Sequence, residues 1–304
     1  MSTSLLYRID GFLGINNVAD SFQLLPQIDI SRRFMRAEML TLQNVDISTQ
    51  YSVSIREGNT LELFMVGIHS LWAEGDICLF VSGNNLYQLS SSYTPTLLYS
   101  GLIANTRMTY VKVNDRIYMT NGFFVGYYSS SAISALPSPV QKYKLPLPAG
   151  KFIRYYRGCL YVARGNVLYI SDALCDHYDI RIGYRAFSGD ITLLEAVDDG
   201  LYVSDGCTWF ISGKGADEFE RHKVVNEDAI PYTAAVITGE DVGEDGISET
   251  VVFWVSTAGI CVGMNRGKIK FITRGKYSIP SGNQGCSMIR KQNGQVHYIV
   301  ILNG

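Results

Sequence analysis

The feature that most constrains the fold is a four-residue motif that recurs about every 40 residues along the sequence. Each copy has an apolar residue, an aromatic residue, a second apolar residue and usually a small residue. The six copies begin at residues 79, 117, 160, 201, 253 and 297, and the last is the weakest. Self-similarity at a period of 20–50 residues is the signature of repeat architectures. The sequence therefore predicts about six similar units.

Each unit is expected to contain four short strands. The motif is one strand; a tight turn such as "TNGF" or "SDGC" and a second strand follow it, and another strand precedes it. Asn-Gly and Asp-Gly favour such hairpin turns. A fourth strand is predicted in four repeats, as "PTLLYS", "DIRIGY", "FERHKVV" and "IKFITR". Four strands in about 40 residues, without helical periodicity, are typical of a propeller blade.

The alternation within the motif agrees with packed blades. In a strand, Leu201 and Val203 would share one face and Tyr202 would take the other. Both faces are then apolar, which fits blades stacked face to face around an axis.

The last repeat, "CSMIRKQNGQVHYIVILNG", supplies only two strands. A ring of blades must close because an unpaired edge invites aggregation. The segments "YSVSI" and "LELFMVG" near the N-terminus are expected to supply the missing strands. The predicted fold is all-β: a six-bladed β-propeller over residues 44–304, closed by N-terminal strands and preceded by an extended N-terminal arm, residues 1–43, with little sheet of its own. The alternative is an open or truncated array.

Composition limits the function classes. Apolar residues make up 47% of the 304 residues and charged residues 18%, which is typical of a folded protein. The net charge of −2 gives no general attraction to nucleic acid or to an anionic membrane. The six cysteines lack CxxC spacing, which favours buried free thiols in a reducing compartment. The sequence predicts no signal peptide and no transmembrane helix.

Catalytic and metal motifs are weak, and no enzyme activity, metal site or cofactor is predicted. "SDGCTW" at 204–209 has the ingredients of a sialidase Asp-box without its spacing, and a hairpin turn explains it better. The run Cys175-Asp176-His177 is a weak metal candidate because adjacent residues rarely converge on one ion. The acidic loop at 240–249 does not follow the ligand order of an EF-hand and is expected to be solvated. Two small basic clusters, at 30–36 and 181–185, could contact DNA phosphates or an acidic neighbour.

The N-terminal stretch "NVDISTQYSVSIREGN", residues 44–59, reads as a strand, a turn and a second strand. With the Gly-rich segment before it, it resembles the N-terminal pattern of tailed-phage virion proteins: the tail tubular protein B or nozzle proteins, and related tail-hub and DNA-stabilisation proteins. The matching residues are Gly14, Asn16, Asn17, Asn44, Asp46, Arg56 and Gly58. Turn chemistry with a local Asp–Arg pair is the simpler explanation for the last four.

The resemblance implies a structural virion component, a tail nozzle, tail hub or neck ring around the DNA exit path. Its expected partners are other tail or neck proteins and copies of itself in a ring, most simply of six, with incidental contact to packaged DNA and none to a membrane. The expected clasp residues are Asn44, Asp46, Arg56 and Gly58. The expected assembly-arm residues are Ile15, Asn16, Asn17, Val18, Phe22, Leu24, Leu25, Arg32 and Arg33. The alternatives are a propeller glycan hydrolase and a soluble propeller that binds a peptide ligand.

Overall fold

The structure, a computed structural model, describes residues 60–238, 249–276, 279, 284–292 and 295–303, together with the backbone of five strands between residues 8 and 55. Those five strands are β1 (Arg8–Ile15), β2 (Gln27–Asp29), β3 (Phe34–Met39), β4 (Val45–Ile47) and β5 (Val53–Ile55).

The N-terminal strands form two small sheets. In the first, β3 lies between β1, to which it is parallel, and β2, to which it is antiparallel. The expectation that residues 1–43 have little sheet of their own is therefore wrong. A parallel pair joins segments that are distant in sequence, so no local turn signal reveals it. In the second sheet, β4 and β5 form the predicted antiparallel hairpin, with Val45 opposite Ile55.

Five four-stranded sheets follow, each with its strands in nearly sequential order. Blade 1 contains β6 (Ile68–Glu74), β7 (Ile77–Ser82), β8 (Asn85–Leu89) and β9 (Pro95–Ser100). Blade 2 contains β10 (Thr109–Val113), β11 (Arg116–Thr120), β12 (Val125–Ser129) and β13 (Ala132–Ala135). Blade 3 contains β15 (Phe152–Tyr156), β16 (Cys159–Arg164), β17 (Val167–Ile170) and β19 (Tyr184–Ala186), and a side sheet of β14 (Lys144–Pro146) and β18 (His177–Asp179).

Blade 4 contains β20 (Leu193–Val197), β21 (Gly200–Ser204), β22 (Thr208–Ser212) and β23 (Glu220–Val225). Blade 5 contains β24 (Ala235–Thr238), β25 (Thr250–Ser256), β26 (Gly259–Gly263) and β27 (Ile269–Phe271), with a short 3-10 turn, Asn265–Gly267, before its last strand. A two-stranded sheet of β28 (Gln284–Gln292) and β29 (Gln295–Asn303) comes last. No helix in this described part of the protein is long and apolar enough to cross a membrane.

The sheets form a β-propeller. Within each complete blade, successive strands pair antiparallel, and the first strand of one blade packs beside that of the next: β10 against β15, and β15 against β20. Further round, β24 contacts β28. Each predicted motif lies in the second strand of its unit, as the repeat pattern indicates.

The core lies between the blades. Leu201 and Val203 pack with Tyr161 of blade 3, whereas Tyr202 packs with Trp254 of blade 5. Leu201, Tyr202 and Val203, which all lie in blade 4, are fully buried. The predicted alternation is confirmed, and it shows why both faces of the strand are apolar.

Two strand assignments differ from the sequence-based predictions. The fourth strand of blade 3 is not "DIRIGY", because residues 180–183 turn back and Gly183 N donates to Asp179 O at 2.7 Å. The actual fourth strand is β19. The segment "LELFMVG" lies in no strand, since residues 60–67 pair with no strand in the described part of the protein.

Closure of the ring stays a prediction. Among the strands that the structure describes, β4 pairs with β5 and β28 pairs with β29. Neither N-terminal sheet is joined to the last sheet by pairing between described strands.

Candidate functional site

Few of the predicted assembly residues can be placed. Ile15 is the last residue of β1, and Asp46 lies in β4 opposite Ser54. The other predicted residues lie outside the described part of the protein: Asn16, Asn17, Val18, Phe22, Leu24, Leu25, Arg32, Arg33, Asn44, Arg56 and Gly58. The proposed pair between Asp46 and Arg56 and most of the acidic loop at 240–249 stay predictions for the same reason. Of the basic cluster at 30–36, only the backbone of residues 34–36 is described, in β3.

A cleft with a volume of about 360 Å³ opens between blades 2 and 3. The β10–β11 turn, the β15–β16 turn and the segment before β18 enclose it. One wall is polar, with Arg116, Tyr118 and Asp176; Leu174 supplies an apolar edge. Leu174 has a φ of 57° and is exposed, and its amide donates to Gly158 O at 2.7 Å.

The polar wall of this cleft is a closed hydrogen-bond unit. Tyr118 donates its hydroxyl to Asp176 Oδ1 at 2.5 Å, and Arg116 Nη1 lies 3.0 Å from Asp176 Oδ2. The guanidinium also lies 4.5 Å from the ring centre of Tyr127. Burial, and then the bond to Asp176, raise the pKa of Tyr118 to about 12. At neutral pH the wall therefore presents a neutral phenol and a carboxylate that is paired with Arg116.

The run Cys175-Asp176-His177 does not converge on one point. Asp176 accepts a hydrogen bond from Tyr118 and pairs with Arg116, whereas His177 Nε2 lies 3.4 Å from Asp172 Oδ2. Within the described residues, no group of three or more His, Cys, Asp or Glu side chains is arranged to hold a metal ion. All six cysteines are free; Cys159 and Cys261 are buried as predicted, but Cys286 is exposed.

A second cluster lies where the first strands of the blades begin. We call Arg107, Lys151, Phe152 and Tyr232 the axial cluster. Arg107 precedes β10, Lys151 and Phe152 are at the start of β15, and Tyr232 precedes β24. The ring of Tyr232 lies 5.2 Å from that of Phe152, 5.0 Å from the Arg107 guanidinium carbon and 5.3 Å from Lys151 Nζ.

The axial cluster joins blades that are not neighbours in sequence. Tyr232 belongs to blade 5 but contacts residues of blades 2 and 3, and Arg107 Nη1 donates to Gly285 O in the last sheet. Pro231 O, next to Tyr232, accepts from Gly285 N at 2.9 Å. The Tyr232 side chain therefore contacts the starts of the inner strands of blades 2 and 3.

Below this cluster, a buried ion pair connects three inner strands. Arg154 of β15 makes a two-point contact with Glu195 of β20, with Nε 2.6 Å from Oε2 and Nη2 bonded to Oε1. Arg154 Nη1 also donates to its own neighbour, Ile153 O, at 2.7 Å and reaches Tyr110 O of β10 at 3.4 Å. The Glu195 residue is 3% exposed. Two-point guanidinium–carboxylate pairs are strongly directional, so this pair sets the relative position of blades 2, 3 and 4.

Two other sequence candidates have structural partners. "SDGCTW" is a hairpin turn, as predicted: the buried Asp205 accepts from Trp209 Nε1 at 2.6 Å and from Ser188 N at 2.8 Å. In the basic cluster at 181–185, Arg181 pairs with Asp179 at 2.6 Å, and Arg185 donates to backbone carbonyl groups. This cluster contacts an acidic neighbour within the same protein.

Comparison with known proteins gave distant likenesses only. No protein-family model and no curated protein matches the sequence. Its structure is similar to the Pan2 WD40 domain of Neurospora crassa, with 12% identity and a TM-score of 0.47 over 77% of this protein and 74% of that one. Virginiamycin B lyase from Staphylococcus aureus is 11% identical, with a TM-score of 0.47 over 77% of this protein and 84% of the lyase. The WD40 propeller domain of Doa1 is 12% identical, with a TM-score of 0.46 over 78% of this protein and 83% of that domain. These likenesses are too distant to carry an activity or a partner over to this protein.

Sequence reasoning missed both the cleft and the axial cluster. Residues 107 and 151 are about one blade apart, residues 151 and 232 are about two blades apart, and none belongs to a recognisable motif. The only local signal was the position of each residue just before or at the start of a predicted inner strand. Such positions meet at one end of a propeller axis once the blades are arranged in a ring.

Proposed function

We propose that this protein is a structural component of a tailed-phage virion that acts by assembly with other tail or neck proteins near the DNA exit path. The resemblance of the N-terminal residues to tail tubular and nozzle proteins supports this assignment. The proposal includes a homo-oligomeric ring, most simply of six copies, with residues 11–43 bridging neighbouring subunits.

The single observation that carries the assembly role is an exposed apolar segment leading into blade 1. Leu61, Phe64 and Val66 are 74%, 79% and 81% exposed. In the next strand, Leu71 is 66% exposed. Contiguous exposed apolar side chains of this size mark a surface that another protein segment covers.

The last sheet adds to this argument. Among the strands that the structure describes, this sheet has two, β28 and β29, whereas each complete blade has four, and Met288 and Ile301 in it are largely exposed. Edge strands with free backbone groups pair readily with a further strand. An assembly partner or the protein's own N-terminal segment can supply that strand.

The N-terminal sheet supports a separate role for residues 8–39. Strands β1, β2 and β3 pair with one another and with no propeller strand that the structure describes. A self-contained sheet can dock on a neighbouring subunit without opening the propeller. Exchange of such an element around a rotation axis generates a closed ring.

A reconstruction of purified particles tests the proposal. We expect copies of the propeller to be related by rotation about the tail axis, with residues 11–43 traced onto a neighbouring subunit. Mass spectrometry of the same particles should detect the protein. Absence from the particles, or an N-terminal segment folded wholly on its own propeller, would contradict the assignment.

A soluble propeller that binds a peptide is the second candidate, and the axial cluster favours it. The cluster places cationic and aromatic side chains together at one end of the axis, where a partner segment can reach them. This candidate predicts a monomer that binds its partner without forming a ring. Sedimentation of the purified protein with and without other tail proteins separates the two.

A further inference from the structure

The axial cluster contains two cationic side chains, Arg107 and Lys151, beside the ring of Tyr232. Among the described residues, no carboxylate oxygen lies within 4.0 Å of the Arg107 guanidinium or of Lys151 Nζ. The one hydrogen bond of the Arg107 side chain in this part of the protein goes to Gly285 O. A guanidinium has five N–H donors, so Arg107 retains donors for another acceptor.

The surroundings show the effect of that charge. Burial and then the charge of Arg107 lower the pKa of His69. The buried Nε2 of His69 has no hydrogen-bond partner in the described structure. Burial also lowers the pKa of Lys151, and Asp190 and Asp228 offset only part of this shift. Cations in this setting are stabilised when an anion reaches them.

We propose that the axial cluster binds a carboxylate presented by a protein partner, either on an acidic side chain or at a C-terminus. Arg107 would offer paired N–H donors, Lys151 would supply the second charge, and the rings of Phe152 and Tyr232 would bound the site. Guanidinium and carboxylate groups match in geometry and form two parallel hydrogen bonds. This proposal does not depend on the protein's place in a virion.

The neighbouring charges favour a single carboxylate over a nucleic acid. Asp190 and Asp228 lie near enough to Lys151 to raise its pKa. Asp228 is held by Thr192 Oγ1 at 2.5 Å and by Ala229 N at 2.9 Å, so its position is fixed. A phosphate backbone would bring several charges toward these carboxylates, whereas one carboxylate can contact the cations alone.

The shape of the site also favours an end group or a side chain. Tyr232 contacts Phe152 and Arg107 at the starts of the inner strands of blades 3 and 2. Aromatic rings beside two cations suit one small anionic group, such as a carboxylate on a side chain or at a peptide terminus.

Binding of defined probes to the full-length protein tests the proposal. The probes are an end-blocked tetrapeptide with internal glutamates, an uncharged tetrapeptide with a free C-terminal carboxylate, its amidated form, inorganic phosphate and a single-stranded DNA oligomer. Isothermal calorimetry should show binding of one or both carboxylate peptides and none of the amidated peptide. Which peptide binds identifies the source of the carboxylate.

Variants assign the binding to the cluster. Arg107→Gln and Lys151→Gln should each lower the affinity for the carboxylate peptide roughly tenfold or more, since each removes a charge-assisted hydrogen bond. Lys142→Gln is the matched control, because Lys142 also lies over a tyrosine ring, 4.8 Å from the centre of Tyr143, but outside the cluster. The Lys142→Gln variant should bind the carboxylate peptide with the same affinity as the wild type.

A measurement on the wild-type protein covers the case in which a variant does not fold. After reductive methylation with labelled formaldehyde, the lysine methyl resonances are titrated by NMR with and without saturating carboxylate peptide. The pKa of Lys151 should rise on binding. Failure of both carboxylate peptides to bind, an unchanged Lys151 titration, equal affinity in the cluster variants, or preferential binding of phosphate or DNA would overturn the proposal.

Discussion

The buried Arg154–Glu195 pair gives the sharpest prediction about stability. Replacing Glu195 with alanine leaves the Arg154 guanidinium desolvated between blades 2, 3 and 4, with only carbonyl groups to accept its hydrogen bonds. Removal of one partner from a buried ion pair typically costs about 3–5 kcal/mol. For a protein of 304 residues, that corresponds to a fall in Tm of about 5–8 °C.

Urea denaturation followed by tryptophan fluorescence, with a parallel thermal scan, measures the effect. The double variant Arg154→Met/Glu195→Met should recover most of the lost stability, because it removes both charges and keeps apolar volume. The control is Glu74→Ala, which breaks an exposed pair: Lys112 Nζ lies 3.3 Å from Glu74 Oε1, and both side chains are solvent-accessible. That change should cost less than about 1 kcal/mol.

The reasoning is refuted if Glu195→Ala costs no more than Glu74→Ala. It is also refuted if the double variant is as unstable as the single one, since the penalty would then come from lost contacts rather than from an uncompensated charge. The two comparisons separate the electrostatic cost from the packing cost.

Three further predictions concern pH, packing and closure. The pKa of Tyr118 is raised to about 12 from an ordinary 10.0, so its contribution to stability is complete below pH 10 and is lost as pH rises toward 12. The difference in unfolding free energy between wild type and Tyr118→Phe, measured by urea titration, should therefore shrink between pH 10 and pH 12. A difference that stays constant over this range would contradict the prediction. Gly263→Ala places a Cβ 2.6 Å from the ring of Tyr202 and 2.7 Å from that of Trp254, so it should cost about 1–3 kcal/mol in the same assay; a neutral result would mean that these rings can move apart. Deletion of residues 1–60 should give an insoluble or strongly destabilised product if the N-terminal strands complete the last blade, and a soluble monomer with unchanged Tm would show that they do not.

The repeat pattern predicted the blades well because each blade is a local structure. Its strands are joined by short turns, so the turn residues and the two-residue alternation carry the information. Leu201, Tyr202 and Val203 were assigned to opposite faces of one strand, and they pack against different neighbouring blades. The short strands β13, β14 and β18 were not predicted; they lie outside the motif, its turn and the strand that follows.

Errors arose where pairing partners are distant in sequence. The parallel pairing of β1 with β3 has no turn signal. The apolar alternation of residues 61–66 indicated a strand, but this segment pairs with none of the described strands. Alternation shows that a segment can be a strand, but a strand forms only when another edge is available to accept its hydrogen bonds.

The sequence by itself determined the class of the protein: an all-β fold of repeated four-stranded units with apolar faces on both sides and no recognisable catalytic motif. Only the tertiary structure decided which side chains meet at the axis and in the cleft. Arg107, Lys151 and Tyr232 come from three blades, and Arg154 of blade 3 pairs with Glu195 of blade 4. The physical reason is that hydrogen bonds within a blade depend on near neighbours, whereas contacts between blades depend on how the ring brings together residues that no local pattern connects.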